Sequence, residues 1–247
     1  MYMLDIGENK FEGTIPLCIG RNLLELKILI LRSNQTHGHI PDELCALSSL
    51  QILDLSDNNL SGLIPKCINN FSSVAVKFKN KYFSLDIGGS IDGGSLNLRE
   101  VAELMMKGKV VIYDEILSPI TSMDHSSNHL FGDIPTEITS LSSLLSLNLS
   151  NNLLFGAIPL QIGKMGALES LDLSLNQLSG EIPPSMSSLS FLSLLNLSCN
   201  NLRGRIPTGT LLQSFDASSF AGNDLCGRPL TENCSSGGVI IAVEDMG

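Results

Sequence analysis

Residues 168–192 read LESLDLSLNQLSGEIPPSMSSLSFL, and this stretch shows the pattern that most of the chain follows. Leucines occupy its first, fourth and sixth positions, an asparagine follows at position 176, and a Gly-x-Ile-Pro segment comes next. The asparagine recurs every 24 residues, at Asn128, Asn152, Asn176 and Asn200. Such self-similarity predicts a chain of stacked units rather than one globular core.

A period of roughly 20 to 29 residues with this spacing is typical of a leucine-rich-repeat solenoid. The alternating leucines predict a short strand with one buried face. The asparagine amide can satisfy backbone groups where the chain turns out of that strand. Proline after isoleucine fixes φ and ends any further strand pairing. We therefore predict an α/β horseshoe of about seven repeats, built mostly of short parallel strands and 3-10 turns.

The repeat is interrupted once. Asn58 and Asn128 are 70 residues apart, which is not a multiple of 24, and residues 76–117 do not fit the repeat. Long excursions from a regular scaffold are usually functional or disordered. KGKVVIYDEI, at 107–116, predicts a strand within this island. The predicted organisation is repeats one to three at 1–75, the island at 76–117, repeats four to seven at 118–207, a cap at 208–234 and a disordered tail at 235–247.

Charge and cysteine content narrow the class of protein. The net charge of -10 and the absence of a basic run argue against a nucleic-acid partner. Cys226 and Cys234 flank the end of the repeats, where a disulfide would staple a cap. Cys45 and Cys67 fall at similar places in successive repeats, so they either form a second disulfide or remain thiols. Two cysteines have no obvious partner, Cys18 and Cys199.

Asn-x-Ser/Thr sequons begin at six asparagines. Asn34 occupies the asparagine slot of its repeat and is predicted to be buried. Candidate glycosylation sites are the other five, Asn59, Asn70, Asn148, Asn196 and Asn233. Together with paired cysteines they favour an extracellular setting. Residues 1–20 do not resemble a signal peptide and the apolar run 239–243 is too short to span a bilayer, so we expect a fragment of a longer protein.

Three stretches resemble the ectodomains of plant leucine-rich-repeat receptor-like proteins of the disease-resistance type. They are LCALSSLQILDLSDNNLSGLIPKC at 44–67, MMKGKVVIYDEIL with PITSMD at 105–124, and LSLLNLSCNNLRGRIPTGTLLQSF with SFAGNDLCGRPL at 192–230. The L-x-G-x-I-P element is similar to the plant-type repeat. The resemblance covers nearly all of residues 1–235 and implies the C-terminal part of an ectodomain.

The resemblance implies a non-enzymatic plasma-membrane receptor, with its solenoid outside the cell, that acts in immune or developmental signalling through partner receptor kinases. A membrane span is implied for the family, and we expect it outside the present sequence. A co-receptor kinase ectodomain is expected to dock on the last repeats and the cap. The candidate partner-binding residues are Thr208, Thr210, Gln213 and Asn196.

Ligand recognition in the family uses the island and the concave surface beside it. The island candidates are therefore Lys107, Gly108 and Tyr113. Some family islands carry a tyrosine nine residues before the Lys-Gly pair, but that position here is Leu98.

Strand alternation places Asp124, Asn148 and Asp172 on the concave face, as further ligand-binding candidates. Asp54 recurs at the same position of an earlier strand. We predict that these carboxylates form a solvated row rather than an acid–base pair. Small polar side chains along a flat sheet suit a peptide or protein ligand better than a small apolar one.

His125 stands where the repeat expects an inward leucine. Burying an unpaired imidazole costs about 1–3 kcal/mol, so we predict that it weakens the first repeat after the island. His129 is four residues further on, a spacing that suggests a metal site only on a helix. Here the two histidines straddle a strand and its turn, so we expect no metal site. The sequence contains no catalytic constellation and indicates no cofactor.

These observations favour the non-enzymatic ligand-binding part of a plant receptor-like protein. One alternative is a secreted inhibitor of the polygalacturonase-inhibiting kind, which shares the repeat, although the island argues against it because those inhibitors are uninterrupted. Another alternative is a truncated, nonfunctional receptor fragment.

Overall fold

The computed structural model describes residues 1–71, 101–106, 109–114, 121–231 and 234. Within these ranges the leucine-rich strands form one seven-stranded parallel sheet. In a leucine-rich-repeat horseshoe, this first sheet lines the concave side. Its strands, in spatial order, are β1 (Met3–Asp5), β3 (Ile28–Ile30), β5 (Ile52–Asp54), β9 (Ser122–Asp124), β11 (Ser146–Asn148), β13 (Ser170–Asp172) and β15 (Leu194–Asn196).

The segment after each asparagine forms a second parallel sheet, which the sequence pattern did not predict. In this segment only one leucine per repeat points inward, so the alternation of apolar and polar residues that marks a strand is weak. Each segment also contains or adjoins a glycine with positive φ, such as Gly132 at 93°. The glycine indicated a bend, but the structure has a strand there. The eight strands are β2 (Glu12–Thr14), β4 (Gln35–Gly38), β6 (Asn59–Gly62), β10 (His129–Asp133), β12 (Leu153–Ala157), β14 (Gln177–Gly180), β16 (Asn201–Arg205) and β17 (Asp224–Cys226).

Short helical turns return the chain to the first sheet. One is an α-helix, α1 (Cys18–Asn22), and several 3-10 helices begin directly after an extended proline such as Pro135. The predicted horseshoe of short parallel strands and 3-10 turns is confirmed. The 3-10 helices are Asp42–Ala46, Lys66–Asn70, Thr136–Ser140, Ile162–Lys164, Pro184–Ser188, Leu212–Ser214 and Ala217–Phe220.

The apolar core is continuous along the repeats. The leucines that open the pattern, Leu168, Leu171 and Leu173, are all buried in it, and Phe220 lies at its C-terminal end. Each repeat buries its leucines against the next repeat, so the stacking of neighbours provides the stability.

The repeats on either side of the interruption stack directly on each other. β5 pairs with β9 in register, with Asp54 beside Asp124. Leu55 N–H also donates to the Asp124 carbonyl at 2.8 Å. The solenoid therefore continues across the insertion. Inside the island the structure describes an antiparallel hairpin of β7 (Val101–Met106) and β8 (Lys109–Asp114), so the strand predicted within 107–116 is present.

Two disulfides are formed among the described residues. Cys45–Cys67 joins the 3-10 helices of two successive repeats, with their Cα atoms 5.7 Å apart, which settles the pairing that the sequence left open. Cys226–Cys234 joins β17 to the segment after it. Among the described residues, Cys18 and Cys199 are exposed free thiols, and no helix has the length and apolarity to cross a bilayer.

Candidate functional site: the first sheet

The predicted asparagine hydrogen bonds hold the first sheet in place. In a typical case, Asn176 Oδ1 accepts from Leu154 N–H at 3.0 Å. Its Nδ2 donates to the carbonyls of Leu149, Leu173 and Ser174 at 2.9–3.2 Å. Asn34, only partly buried, makes the same contacts, and Asn223 continues the series into the cap, where the sequence pattern had not located it. Members of this series include Asn34, Asn58, Asn128, Asn152, Asn176, Asn200 and Asn223.

On the outward face of the first sheet, one side chain from each of five successive strands forms a row that we call the polar row. Its members are Asp54, Asp124, Asn148, Asp172 and Asn196, which are paired in register. In each, Oδ1 accepts from the hydroxyl of a serine two residues on, at 2.6 or 2.7 Å. Asn148 Nδ2 donates to Asp124 Oδ2 at 3.1 Å, and Asn196 Nδ2 donates to Asp172 Oδ2 at 3.2 Å.

Asp54 and Asp124 are the only adjacent acids in the polar row. They are 3% and 7% exposed, so the predicted solvated row is wrong for these two, whereas Asn148 and Asp172 are partly exposed. Burial raises the pKa of Asp54 above its ordinary value. Burial, with the nearby Asp54 carboxylate, raises the pKa of Asp124 to about 6. The in-register pairing of β5 with β9 brings these acids together, although the island separates them in sequence.

The same face is apolar on the earlier repeats. Ile28, Ile30 and Ile52 occupy outward positions of β3 and β5 and are buried. They are not part of the continuous leucine core. The small polar side chains expected along the sheet therefore do not extend to β3. In the sequence, these isoleucines alternate with inward leucines, as in Ile28-Leu29-Ile30, and this alternation could have indicated that the outward positions are apolar here.

Asp54→Asn is expected to raise the free energy of unfolding by about 1 kcal/mol at neutral pH. An amide at 54 keeps an Oδ1 that can accept from the N–H and hydroxyl of Ser56, as the carboxylate does now. The substitution also removes the repulsion between two carboxylates. Because the pKa of Asp124 is raised in the folded wild type, the destabilising contribution of this one carboxylate is lost as the pH falls below about 6, and the advantage of the variant should shrink.

Asp172→Asn is the matched control, with the opposite expected sign. Asp172 lies between two asparagines and accepts from Asn196, so an amide there loses an acceptor and should cost about 1 kcal/mol. Denaturant unfolding of both variants, at neutral pH and near the ordinary pKa of aspartate, measures the two effects. Equal shifts for both would contradict the proposed pairing.

The candidate partner-binding residues lie in two places. Thr208 and Thr210 are exposed in the segment after β16, and Gln213 lies in the 3-10 helix that follows, where its N–H donates to the Gly209 carbonyl. Asn196 is instead in β15 of the first sheet.

Of the island candidates, the structure describes Tyr113, which lies in β8 and pairs with Ala102 of β7. Three residues named above, Leu98, Lys107 and Gly108, lie outside the described residues.

The sequons differ in how accessible their amides are. Asn59 and Asn70 are exposed, whereas the amides of Asn148 and Asn196 are hydrogen-bonded within the polar row. Asn233 lies outside the described residues.

The two neighbouring histidines do not share a face. His125 is buried and His129 is exposed. Neither ring nitrogen of His125 has a hydrogen-bond partner. Within the described parts of the chain, no three His, Cys, Asp or Glu side chains are grouped to hold a metal ion.

The repeats can now be compared with known proteins. The Leucine Rich Repeat family model matches residues 49–71, 143–165 and 167–189. The chain contains leucine-rich repeats. Its sequence is 52% identical over 241 residues to Receptor-like protein EIX2 of Solanum lycopersicum, a match that covers 94% of this chain and 23% of that protein. The chain thus spans about a quarter of the length of this plant receptor-like protein.

Solved leucine-rich-repeat ectodomains have the same fold. The Arabidopsis receptor kinase HAESA, in complex with the peptide hormone IDA and the co-receptor SERK1, matches with a TM-score of 0.67 and 27% identity, over 91% of this chain and 30% of that chain. The ectodomain of the plant membrane receptor kinase GASSHO1/SCHENGEN3 from Arabidopsis thaliana matches with a TM-score of 0.63 and 25% identity, over 95% of this chain and 31% of that chain.

Proposed function

We propose that this leucine-rich-repeat protein is the non-enzymatic, extracellular ligand-binding part of a plant receptor-like protein in immune or developmental signalling. The observation that carries the proposal is the 52% identity to a receptor-like protein across nearly the whole chain. Two disulfides and exposed sequon asparagines at 59 and 70 suit an extracellular setting.

The ligand is a peptide or protein that lies along the first sheet. The polar row supports this because its partly exposed members present amide and carboxylate groups, spaced by about 4.8 Å from strand to strand, that can hydrogen-bond to the backbone of an extended peptide. A small apolar ligand would need a deeper, apolar pocket. Asn148 and Asp172 are the contacts assigned to the ligand on this sheet, and the third candidate, Asp124, is buried next to Asn148.

The partner is the ectodomain of a receptor kinase that docks on the last repeats and the cap. HAESA, which shares the fold, was solved with both a peptide hormone and a co-receptor. Exposed Thr208 and Thr210, with Gln213 in the adjoining 3-10 helix, provide hydroxyl and amide groups for hydrogen bonds across such an interface.

Gln213→Ala is expected to weaken binding of this chain to the SERK1 ectodomain by about tenfold, the effect of one good interface hydrogen bond with its desolvated partner. Isothermal titration calorimetry of the two proteins measures the affinity, and a thermal melt shows that folding is unchanged. Gln177→Ala, at an exposed glutamine of β14, is the matched control and should leave the affinity unaltered. Equal affinities for both variants would remove Gln213 from the interface, and no binding by the wild type would contradict this choice of partner.

A further inference from the structure

The second sheet presents an apolar patch on its outward face. Leu63, Phe131, Leu153, Phe155 and Leu160 are between 44% and 70% exposed. Phe131 and Leu153 are paired in register between β10 and β12, and Leu63 directly follows β6, the neighbour of β10. These five side chains are called the apolar patch below. They belong to three successive repeats, although the island separates the first of these from the others in sequence.

The patch is a local feature and not a consequence of the repeat. The fold requires only the inward leucines of these strands, such as Leu130 and Leu154, which are fully buried. Strands on either side place polar residues outward, namely Gln35 and His37 in β4 and Gln177 and Ser179 in β14. Single exposed apolar residues are ordinary on protein surfaces, but a contiguous group marks an interaction site.

A groove of about 1100 Å³ runs beside the patch, with Leu63, Phe155 and Leu160 in its walls. Gly132 in its lining has no side chain, and a Cβ there would approach Leu63 Cδ2 to 2.5 Å. The residues that line the groove come from four stacked repeats, and so span three strand spacings. At a strand spacing of about 4.8 Å this is the length of roughly four extended residues.

The charged side chains that line the groove are acidic on balance. Asp42, Asp133 and Glu137 contribute carboxylates, and Lys66 contributes one ammonium group. The whole chain is also acidic, with a net charge of -10. Complementary charge raises association rates and excludes like-charged partners. The groove therefore selects a segment that combines apolar and basic side chains.

We propose that this groove docks an extended segment of a partner protein in which apolar side chains alternate with lysine or arginine. The apolar side chains lie against Leu63, Phe155 and Leu160, and the basic ones face the carboxylates of Asp133 and Glu137. This surface is on the second sheet, so the chain has a binding face separate from the polar row and from the cap. It goes beyond the function proposed above and does not depend on it.

The probe is the N-acetylated, C-amidated hexapeptide Lys-Leu-Lys-Phe-Lys-Leu, carrying a fluorophore, titrated with the full chain and followed by fluorescence anisotropy. Phe155→Ser and Leu160→Ser should each weaken binding by about tenfold, as expected for an anchor side chain in a groove. Phe11→Ser is the matched control, because Phe11 is 50% exposed but lies in the first repeat, away from the groove. All three positions are exposed, so thermal melts should show unchanged folding.

The charge is tested separately. The peptide with glutamate in place of each lysine should not bind, and Asp133→Asn should weaken binding of the lysine peptide more than Glu12→Gln, an exposed acid of β2.

The proposal is overturned if the glutamate peptide binds equally well, if Phe11→Ser has the same effect as Phe155→Ser, or if the lysine peptide does not bind. Self-association of the wild type in analytical ultracentrifugation, abolished by Phe155→Ser, would instead identify a second copy of the chain as the occupant.

Discussion

Replacing Asn200 with alanine is expected to lower the free energy of unfolding by about 3 kcal/mol or more. Its Oδ1 accepts from Leu178 N–H at 2.9 Å, and its Nδ2 donates to the carbonyls of Leu173, Leu197 and Ser198 at 3.0–3.3 Å. Alanine removes all four hydrogen bonds. The Leu178 N–H then loses this buried acceptor and carries a desolvation penalty. The carbonyls of Leu173, Leu197 and Ser198 lose one of their donors, and each keeps another.

Asn201→Ala is the matched control. Asn201 is the next residue, of the same type, but it is exposed at the start of β16, so the change should stay within about 0.5 kcal/mol. Denaturant unfolding measures the difference. Hydrogen exchange adds a local readout, because the Leu178 amide should lose protection before the earlier repeats do, as expected where each repeat contacts only its neighbours. Similar losses for both variants would contradict the structural role assigned to Asn200.

Replacing His125 with leucine is expected to raise the free energy of unfolding by about 1–3 kcal/mol at neutral pH. Both ring nitrogens of His125 are buried without hydrogen-bond partners. The corresponding inward positions of the neighbouring repeats are Leu55 and Leu149, which are fully buried, so a leucine fits the stacking there. The substitution thus removes an unpaired polar group and keeps the packing.

The gain from His125→Leu should grow as the solution becomes more acidic. Burial lowers the pKa of His125 to about 4, from an ordinary value of 6.5, so the unfolded chain takes up a proton that the folded chain does not. Wild-type stability is therefore lost as the pH falls from about 6.5 toward 4, and the loss attributable to His125 approaches about 3 kcal/mol. The difference between variant and wild type isolates this effect, since their carboxylates are the same.

His129→Leu is the control for the histidine prediction. It changes the same residue type four positions away, but on an exposed side chain of β10. Urea unfolding of the three proteins across the acidic range should show a pH-dependent gain only for His125→Leu. A gain that is constant with pH would mean that His125 is not held neutral in the folded protein.

Some of the candidate site could be predicted from residue spacing. Strand alternation correctly placed Asn148 and Asp172 on the outward face, and it placed His125 inward. It did not predict that Asp54 and Asp124 would be adjacent and buried, because they are separated by the island in sequence. The stacking of β5 on β9 makes them neighbours.

The 24-residue pattern by itself determined the repeat, the leucine core and the hydrogen-bonding role of the asparagine within each repeat, because these depend on contacts within a repeat or between similar neighbours. Only the tertiary structure decided the second sheet, the pairing of Cys45 with Cys67, and which unlike residues meet across repeats. The Asp54–Asp124 pair and the apolar patch are both of this second kind. Their members become neighbours only because the repeats before and after the island stack on each other. A sequence period predicts the residues that recur in every repeat, but it does not predict which of the differing side chains lie next to each other after stacking.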